Sequence, residues 1–365
     1  MRLSESLRKG VLEAAVGGVM NKFKIQRRRD TFFFEELISD FIFESERRGF
    51  GAAVEEMGRK WGYLNSGTLL PDALKMVPPL FIINTVMKKV WQNLGLVEDI
   101  RAEKAGVTIL LRTAGESVTR MIGPNRLTTG MYAGIISQLF GRTAVPLKAV
   151  QGRKRCEYTF GLREGRLGYA GRPRDAYMKL NKMPPAAGHT LKDALRTGIF
   201  RLSGNRIYFR GRLVTPVENT IFHLLGESGI LRERIPCISH DFFSGVAKGK
   251  VGVEERLSLA KALFQVMGWG VFSIVMGRGT GMTIEIKNPP CSLAPSDNWD
   301  YLALTLLGYL WLIDRRLTFS GSRKSNRGVS FTYSFRHARR RPRQPAERES
   351  RRTGSRPRGL RSPAS

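Results

Sequence analysis

The chain has 365 residues, with 61 Lys and Arg against 31 Asp and Glu, a formal charge of +30 and 42% hydrophobic residues. That apolar content excludes a wholly unfolded chain, and three Cys with four His exclude a disulfide-stapled fold or an array of zinc modules. At roughly 150 residues per domain, the length predicts two domains, each burying its own core.

Residues 1–19 predict an N-terminal helix, and Glu13 interrupts its apolar patch, so no secretory leader is expected. Lys22-Phe23-Lys24-Ile25-Gln26-Arg27-Arg28-Arg29 follows, a strand-like alternation ending in three arginines. Phe32, Phe33, Phe34, Leu37, Ile38, Phe41 and Ile42 then fall on one helical face, as do Val217, Ile221, Phe222 and Leu225 in the second half. An apolar helical run starts near Pro79 and ends at Trp91-Gln92-Asn93-Leu94-Gly95. Ile199-Phe200-Arg201 and Ile207-Tyr208-Phe209 flank Gly204-Asn205-Arg206, the pattern of a hairpin turn. Trp269–Met276 and Met282–Ile286 predict strand, turn and strand. Tyr301–Ile313 is the most apolar stretch, but 13 residues fall short of the roughly 20 that span a bilayer, so a buried helix is expected. With no spanning segment expected, the reading is a soluble, reduced, cytoplasmic protein, with contact at a membrane surface left open.

The two halves echo one another. Trp91–Gly95 matches Phe264-Gln265-Val266-Met267-Gly268 at an offset of 173, the latter ending a helix that starts at Gly252. Gly106-Val107-Thr108-Ile109 answers Gly281-Met282-Thr283-Ile284 at 175, Gly134 answers Gly308 at 174, and Tyr158-Thr159-Phe160 answers Phe331-Thr332-Tyr333 at 173. Further upstream Gly58–Gly62 faces Gly245–Gly249 at 187, which places a 14-residue insertion after Gly62. The expected fold class is therefore α+β, two tandem units with helices packed on one antiparallel sheet each. Residues 20–163 form the first unit, 164–195 a Gly/Pro/Arg-rich linker containing Met183-Pro184-Pro185, and 196–335 the second. Residues 336–365 carry eleven Arg and two Glu with almost no apolar residue, which predicts a disordered tail and leaves +21 on the rest.

The order helical pair, helix, hairpin, helix, closing strand resembles the 4-vinyl reductase-type domain, whose fold is related to that of TRAPP tethering-complex subunits. Asn125–Gly134 resembles that family's core helix, where a Cys-His pair precedes two Gly four apart. Lys148–Tyr158 resembles its Cys, Gly, Cys-Glu-aromatic ending, and Gly58–Gly62 its Gly-x-x-x-Gly helix. The resemblance implies a small-molecule or hydrocarbon-binding module, often regulatory, with Trp91, Arg126, Gly130, Tyr132, Gly134 and Cys156 as candidate ligand-binding residues. Cysteines of the family have been suggested as metal ligands, but Asn125 and Lys148 stand at two of those positions here and Val329 answers Cys156. One thiol cannot hold zinc, so no metal site is assigned, and no cofactor is nominated. Gly130 and Gly134 also share one helix face from which side chains are removed. Either a packed helix or a ligand can approach there, and packing is the commoner case.

No catalytic residue is nominated. Gly277-Arg278-Gly279-Thr280-Gly281 lies between strands and opens no helix, so a hairpin turn is expected in place of a phosphate loop. Cys237 and His240 have metal-compatible spacing without a second pair, and the remaining His have no nearby nucleophile. Basic patches are better represented. Arg27, Arg28 and Arg29, the Arg201–Arg212 hairpin, and Arg339, Arg340, Arg341 and Arg343 could all track phosphates, the last group anionic lipid as well, or form only solvated surface, which is the commoner case for the first two. The expectation is a non-enzymatic protein binding a small hydrophobic ligand, with nucleic acid or another polyanion as the alternative partner; vinyl-reductase activity has no visible motif, and an assembly scaffold rests on fold analogy alone.

Overall fold

Thr31–Phe34 is a strand (β1) that the helical reading of Phe32–Phe34 did not anticipate. Three phenylalanines buried on both faces suit a strand packed from both sides, and the helix α1 begins only at Glu35, running to Arg47. The computed structural model describes residues 31–70, 74, 76–180, 191–204, 206–247, 252–277, 281–325 and 328–335. The expected helix of residues 1–19, Arg27–Arg29, Met183–Pro185 and residues 336–365 lie outside the described residues.

After α1 come α2 (Gly51–Leu69) and a third helical run with α ends, Pro79–Phe81 and Lys88–Asn93, around a π-helical middle, Ile82–Met87; this run is α3. Two strands follow, β2 (Asp99–Ala105) and β3 (Thr108–Ala114), then a single turn α4 (Thr119–Ile122), the long α5 (Arg126–Phe140), and the hairpin β4 (Thr143–Gln151) and β5 (Arg155–Arg163). The expected linker contains two short helices, α6 (Arg174–Leu180) and α7 (Leu191–Arg196), and α6 buries Tyr177 and Met178. The second half runs β6 (Phe200–Ser203), β7 (Arg206–Phe209), β8 (Arg212–Val217), α8 (Thr220–Ser228), α9 (Ile235–Val246), α10 (Val253–Val266), β9 (Val271–Gly277), β10 (Gly281–Lys287), α11 (Asp300–Leu310), β11 (Leu317–Ser325) and β12 (Gly328–Phe335). Val217 ends β8, so it does not belong to the helical face formed by Ile221, Phe222 and Leu225. The apolar stretch from Tyr301 to Leu310 is a helix buried at every position. No helix among the described residues is long and apolar enough to cross a membrane.

The fold is α+β with three four-stranded antiparallel sheets. Two of them repeat each other: β2-β3-β5-β4 in the first half and β9-β10-β12-β11 in the second. Their registers agree in detail. Leu111 faces Tyr158 as Ile284 faces Phe331, and the skipped residue of β4, between Pro146 and Lys148, returns in β11 between Phe319 and Gly321. All of these pairs stand 173 apart, so the 175 read from Gly106 and Gly281 is two residues out, a slip that preserves the faces. The preceding helices also end alike. Gly95 and Gly268 have positive φ, Leu96 and Trp269 donate to Trp91 and Phe264, and Gly95 and Gly268 donate to Gln92 and Gln265. This is the six-to-one and five-to-two bonding that closes a helix on glycine.

The match of Gly58–Gly62 with Gly245–Gly249 does not survive. Gly134 faces the Arg59 carbonyl and the Tyr63 amide, whereas Gly308 faces the Pro236 carbonyl and the His240 amide. Arg59 and Pro236, like Tyr63 and His240, are 177 apart, so Ser239 stands where Gly62 does. The difference between 177 and 173 leaves four extra residues in the first half, not 14.

The third sheet, β1-β8-β7-β6, joins the halves. β1 pairs antiparallel with β8, Thr31 opposite Val217 and Phe34 opposite Val214. Its other edge is closed: Phe32 N–H donates to the Met267 carbonyl at 2.8 Å, and the buried Trp269 indole donates to the Phe32 carbonyl at 3.1 Å. An edge so covered cannot recruit another strand. Phe33, Phe222, Trp269 and Tyr301 pack around it with ring centroids 4.8–6.4 Å apart. Each ring contributes on the order of 1.5–3 kcal/mol by burial. The two repeats thus share one sheet and the core around it, while the β2-β3-β5-β4 sheet buries a second cluster with α5, and the described residues up to Phe335 form one compact unit.

Candidate functional site

Helices α2 and α5 cross with their backbones in contact. A Cβ at Gly58 or Gly62 would overlap the Leu127 or Met131 carbonyl, and one at Gly130 or Gly134 would overlap the Glu55 or Arg59 carbonyl. The glycine pairs on both helices therefore serve packing, the commoner of the two cases weighed for Gly130 and Gly134, and α2 fills the face that a ligand would have needed.

Beside this crossing lies a cavity of about 280 Å³. Trp61, Met131, Ile135 and Leu139 of the crossing helices form one wall, Ile82, Val86, Val90 and Trp91 of α3 another, and Pro216, Val217 and Ile221 of the second half a third. The π-helical middle of α3 is part of that wall, a local irregularity often found where helices border functional sites. It is held in place by Asn84, whose side chain accepts from the Ala102 amide at 2.6 Å and donates to the Ala102 carbonyl at 2.9 Å.

Two buried carboxylates line the cavity. Glu116 is 3% exposed and accepts from four hydroxyls: Thr113 at 2.5 Å, Thr119 at 2.7 Å, Tyr132 at 3.1 Å and Tyr158 at 2.5 Å. The network closes on itself. Gln151 Nε2 donates to the Tyr158 hydroxyl, Gln151 Oε1 accepts from the Asn125 amide, and Asn125 Nδ2 donates to the Thr119 hydroxyl. Asn125 also caps α5 by accepting from Thr128 N–H at 2.9 Å. Burial, and then the charge of Glu116, pushes the Tyr132 and Tyr158 phenols far above their ordinary range, so both stay protonated donors at neutral pH. The Cys156 thiol behind them is pushed up to about 11 by burial first and Glu116 second, and Sγ lies 3.3 Å from the Gly152 carbonyl. Cys156 is thereby a protonated core thiol, not a nucleophile.

Glu218, 7% exposed, accepts from Trp61 Nε1 at 3.1 Å, Asn65 Nδ2 at 3.4 Å, Tyr177 hydroxyl at 2.7 Å, Thr220 hydroxyl at 3.0 Å and Thr220 N–H at 3.1 Å. It ties α2 and α6 to the turn between β8 and α8.

Between Glu116 and α4 the chain makes a tight turn. Val118 has φ 65° and ψ −57°, and Thr119 N–H donates to the Ser117 carbonyl at 2.8 Å. These are the angles of the rare, strained three-residue turn, here on a β-branched residue that lines the cavity.

Of the residues expected to bind ligand, Trp91 and Tyr132 line the cavity, with ring centroids 6.0 Å apart. Cys156 lies behind Tyr132 and Tyr158 in the core of the β2-β3-β5-β4 sheet. Arg126 is exposed at the start of α5, its backbone N–H donating to Glu46 at 2.5 Å, away from the cavity lining. Glu116, Glu218, Trp61 and Arg174 also line the cavity and were not anticipated. A buried acid in Gly-Glu-Ser between a strand and a helix has no spacing signature, and its hydroxyl partners are scattered from Thr113 to Tyr158.

The nucleic-acid candidates Arg27, Arg28, Arg29, Arg339, Arg340, Arg341 and Arg343 lie outside the described residues. The hairpin arginines are engaged within the fold: Arg212 pairs with Glu36 at 2.6 Å, Arg206 with Glu98 at 3.1 Å, Arg210 donates to the Val246 carbonyl, and Arg201 sits over Tyr208. His240 and Cys237 share α9, and among the described residues no third metal donor joins them. Among the described residues no three His, Cys, Asp or Glu side chains converge to hold a metal.

No protein-family model matches the chain, and the search of curated proteins found no match.

Proposed function

We propose that this is a non-enzymatic small-molecule binding or regulatory protein of the cytoplasm, with 4-vinyl reductase-like repeats, that holds a hydrophobic ligand in the cavity between α2, α3 and α5. The observation that carries this reading is the cavity of about 280 Å³, where apolar walls from both halves meet while Glu116 and Glu218 are saturated by the protein's own donors. Apolar concavities with few, fixed polar groups are the usual form of small-molecule sites. A general acid or base would need to be free to reach substrate, and neither carboxylate is.

The test is thermal unfolding of the full chain against a panel of apolar small molecules, with Ile135→Trp to fill the cavity. A true ligand at 100 times its Kd adds about 2.7 kcal/mol of stability to the wild type and far less to the filled variant. Equal shifts in both proteins, or none in either, would rule the reading out.

A second reading, nucleic-acid binding, is favoured by one surface observation. Arg153, Lys154 and Arg155 crowd the exposed β4–β5 turn, and Lys148 is exposed further along β4, all with no acidic partner among the described residues. Such binding should fall by about one power of salt concentration per phosphate contacted. Binding insensitive to salt would count against it.

A further inference from the structure

The charged groups around the cavity divide unequally. Glu116 and Glu218 have four and five donors respectively, so neither asks a ligand for a proton or a positive charge. Arg174 is the reverse. It opens α6, lines the cavity one turn from Met178, is half-buried, and has neither an ion pair nor a hydrogen-bond acceptor among the described residues. Its neighbour Arg172 shows what a satisfied guanidinium looks like in the same segment, donating to the Ser292 and Pro295 carbonyls at 3.0 and 2.9 Å and lying 3.4 Å from Asp297. A guanidinium stays charged at every physiological pH and its planar fork fits a carboxylate. Held at the edge of an apolar wall, it favours a ligand that brings the missing anion.

We propose that the cavity takes a free single-chain monocarboxylate, its head paired with Arg174 and its hydrocarbon chain lying against Val86, Val90, Met131 and Ile135. This rests on the reading of the cavity as a ligand site. An amine head would meet Arg174 as a like charge, and an alcohol would leave it without a counter-ion.

Three ten-carbon probes separate these cases at neutral pH: decanoate, decanol and decylamine, titrated into the full chain while tryptophan emission, to which Trp61 and Trp91 of the cavity wall contribute, is followed. Decanoate should bind about tenfold or more tightly than decanol, the range expected for a charge-assisted hydrogen bond. Arg174→Gln should erase that margin and leave decanol affinity and the ligand-free melting temperature unchanged. Equal binding of acid and alcohol, tightest binding of the amine, or an unaltered decanoate affinity in Arg174→Gln would overturn the head-group assignment. Tighter binding of short two-chain phosphatidate than of decanoate would overturn the free monocarboxylate as occupant. Failure of all three ten-carbon probes to bind the wild type would overturn the cavity reading itself.

Discussion

Glu35 and Arg120 form a bidentate pair inside the protein, with Oε1 2.7 Å from Nε and Oε2 2.5 Å from Nη2, the acid wholly buried and the base 10% exposed. Arg120 also donates to the Gly95 and Gly115 carbonyls, so one side chain ties α1 to the turn that carries Glu116. Removing one partner strands a buried charge at a cost of about 3–5 kcal/mol. Arg120→Met should lose stability in that range by urea unfolding, and Glu35→Leu/Arg120→Met should recover much of it. A double variant no more stable than the single would show that the arginine acts through its carbonyl contacts instead.

At the α2–α5 crossing, Gly62→Ala and Gly134→Ala should each destabilise by at least about 1–3 kcal/mol, because the new methyl meets backbone rather than a side chain that can turn away. Gly168→Ala has open space around it and should be neutral. The comparison is read from unfolding midpoints. Equal midpoints for all three would mean that the helices can part without loss.

Val118 offers a test with an unusual order. Ala keeps the strained φ and loses two methyls, whereas Gly loses them too but relieves strain of about 1–3 kcal/mol. Val118→Gly should therefore be more stable than Val118→Ala. The opposite order would show that the turn is held without strain.

The repeat was legible where rigid geometry and distinctive residues coincide. Gln92-x-x-Gly95 and Gln265-x-x-Gly268 mark the same helix ending, and Tyr158 and Phe331 the same strand face. It was misread where short glycine patterns recur by chance: Gly245 resembles Gly58 in spacing, yet the small residue that answers Gly62 is Ser239. Phe32–Phe34 could not be told from a helix start by periodicity, since a strand buried on both faces has no alternation. The pairing of β1 with β8 depends on partners some 180 residues away, which no local pattern encodes. Within the candidate site, Trp91 and Tyr132 were found because they sit beside recognisable glycines. Glu116 and Glu218 were not, because what makes a carboxylate special here is the hydroxyls that folding brings to it.

His223 is buried, with Nδ1 2.7 Å from the Asn298 carbonyl and its ring 4.4 Å from that of Trp299. Burial lowers its affinity for a proton, opposed by the Asp297 carboxylate and reinforced by Arg172. The unfolded chain then binds a proton that the folded one refuses, so stability is full above about pH 6.5 and falls as pH drops through and below that value, with a slope of up to about 1.4 kcal/mol per unit. His240, lowered mainly by burial, adds in the same direction. Asp40 and Glu46, raised chiefly by burial, act oppositely, starting from the lower carboxylate range. Unfolding of the wild type and His223→Asn between pH 7.5 and 5.5 should show the shallower slope in the variant. Parallel slopes would remove His223 as the cause.

The strand formed by Thr31–Phe34 has a temporal consequence. Its partner, Arg212–Val217, leaves the ribosome some 180 residues later, which at about 5–20 residues per second is roughly 10–40 s. For that interval a nascent chain carries Phe32, Phe33 and Phe34 without the sheet, the Trp269 indole or the Phe222 ring that will cover them. The first repeat is thus born as an unfinished object, and the second is as much its scaffold during synthesis as its copy.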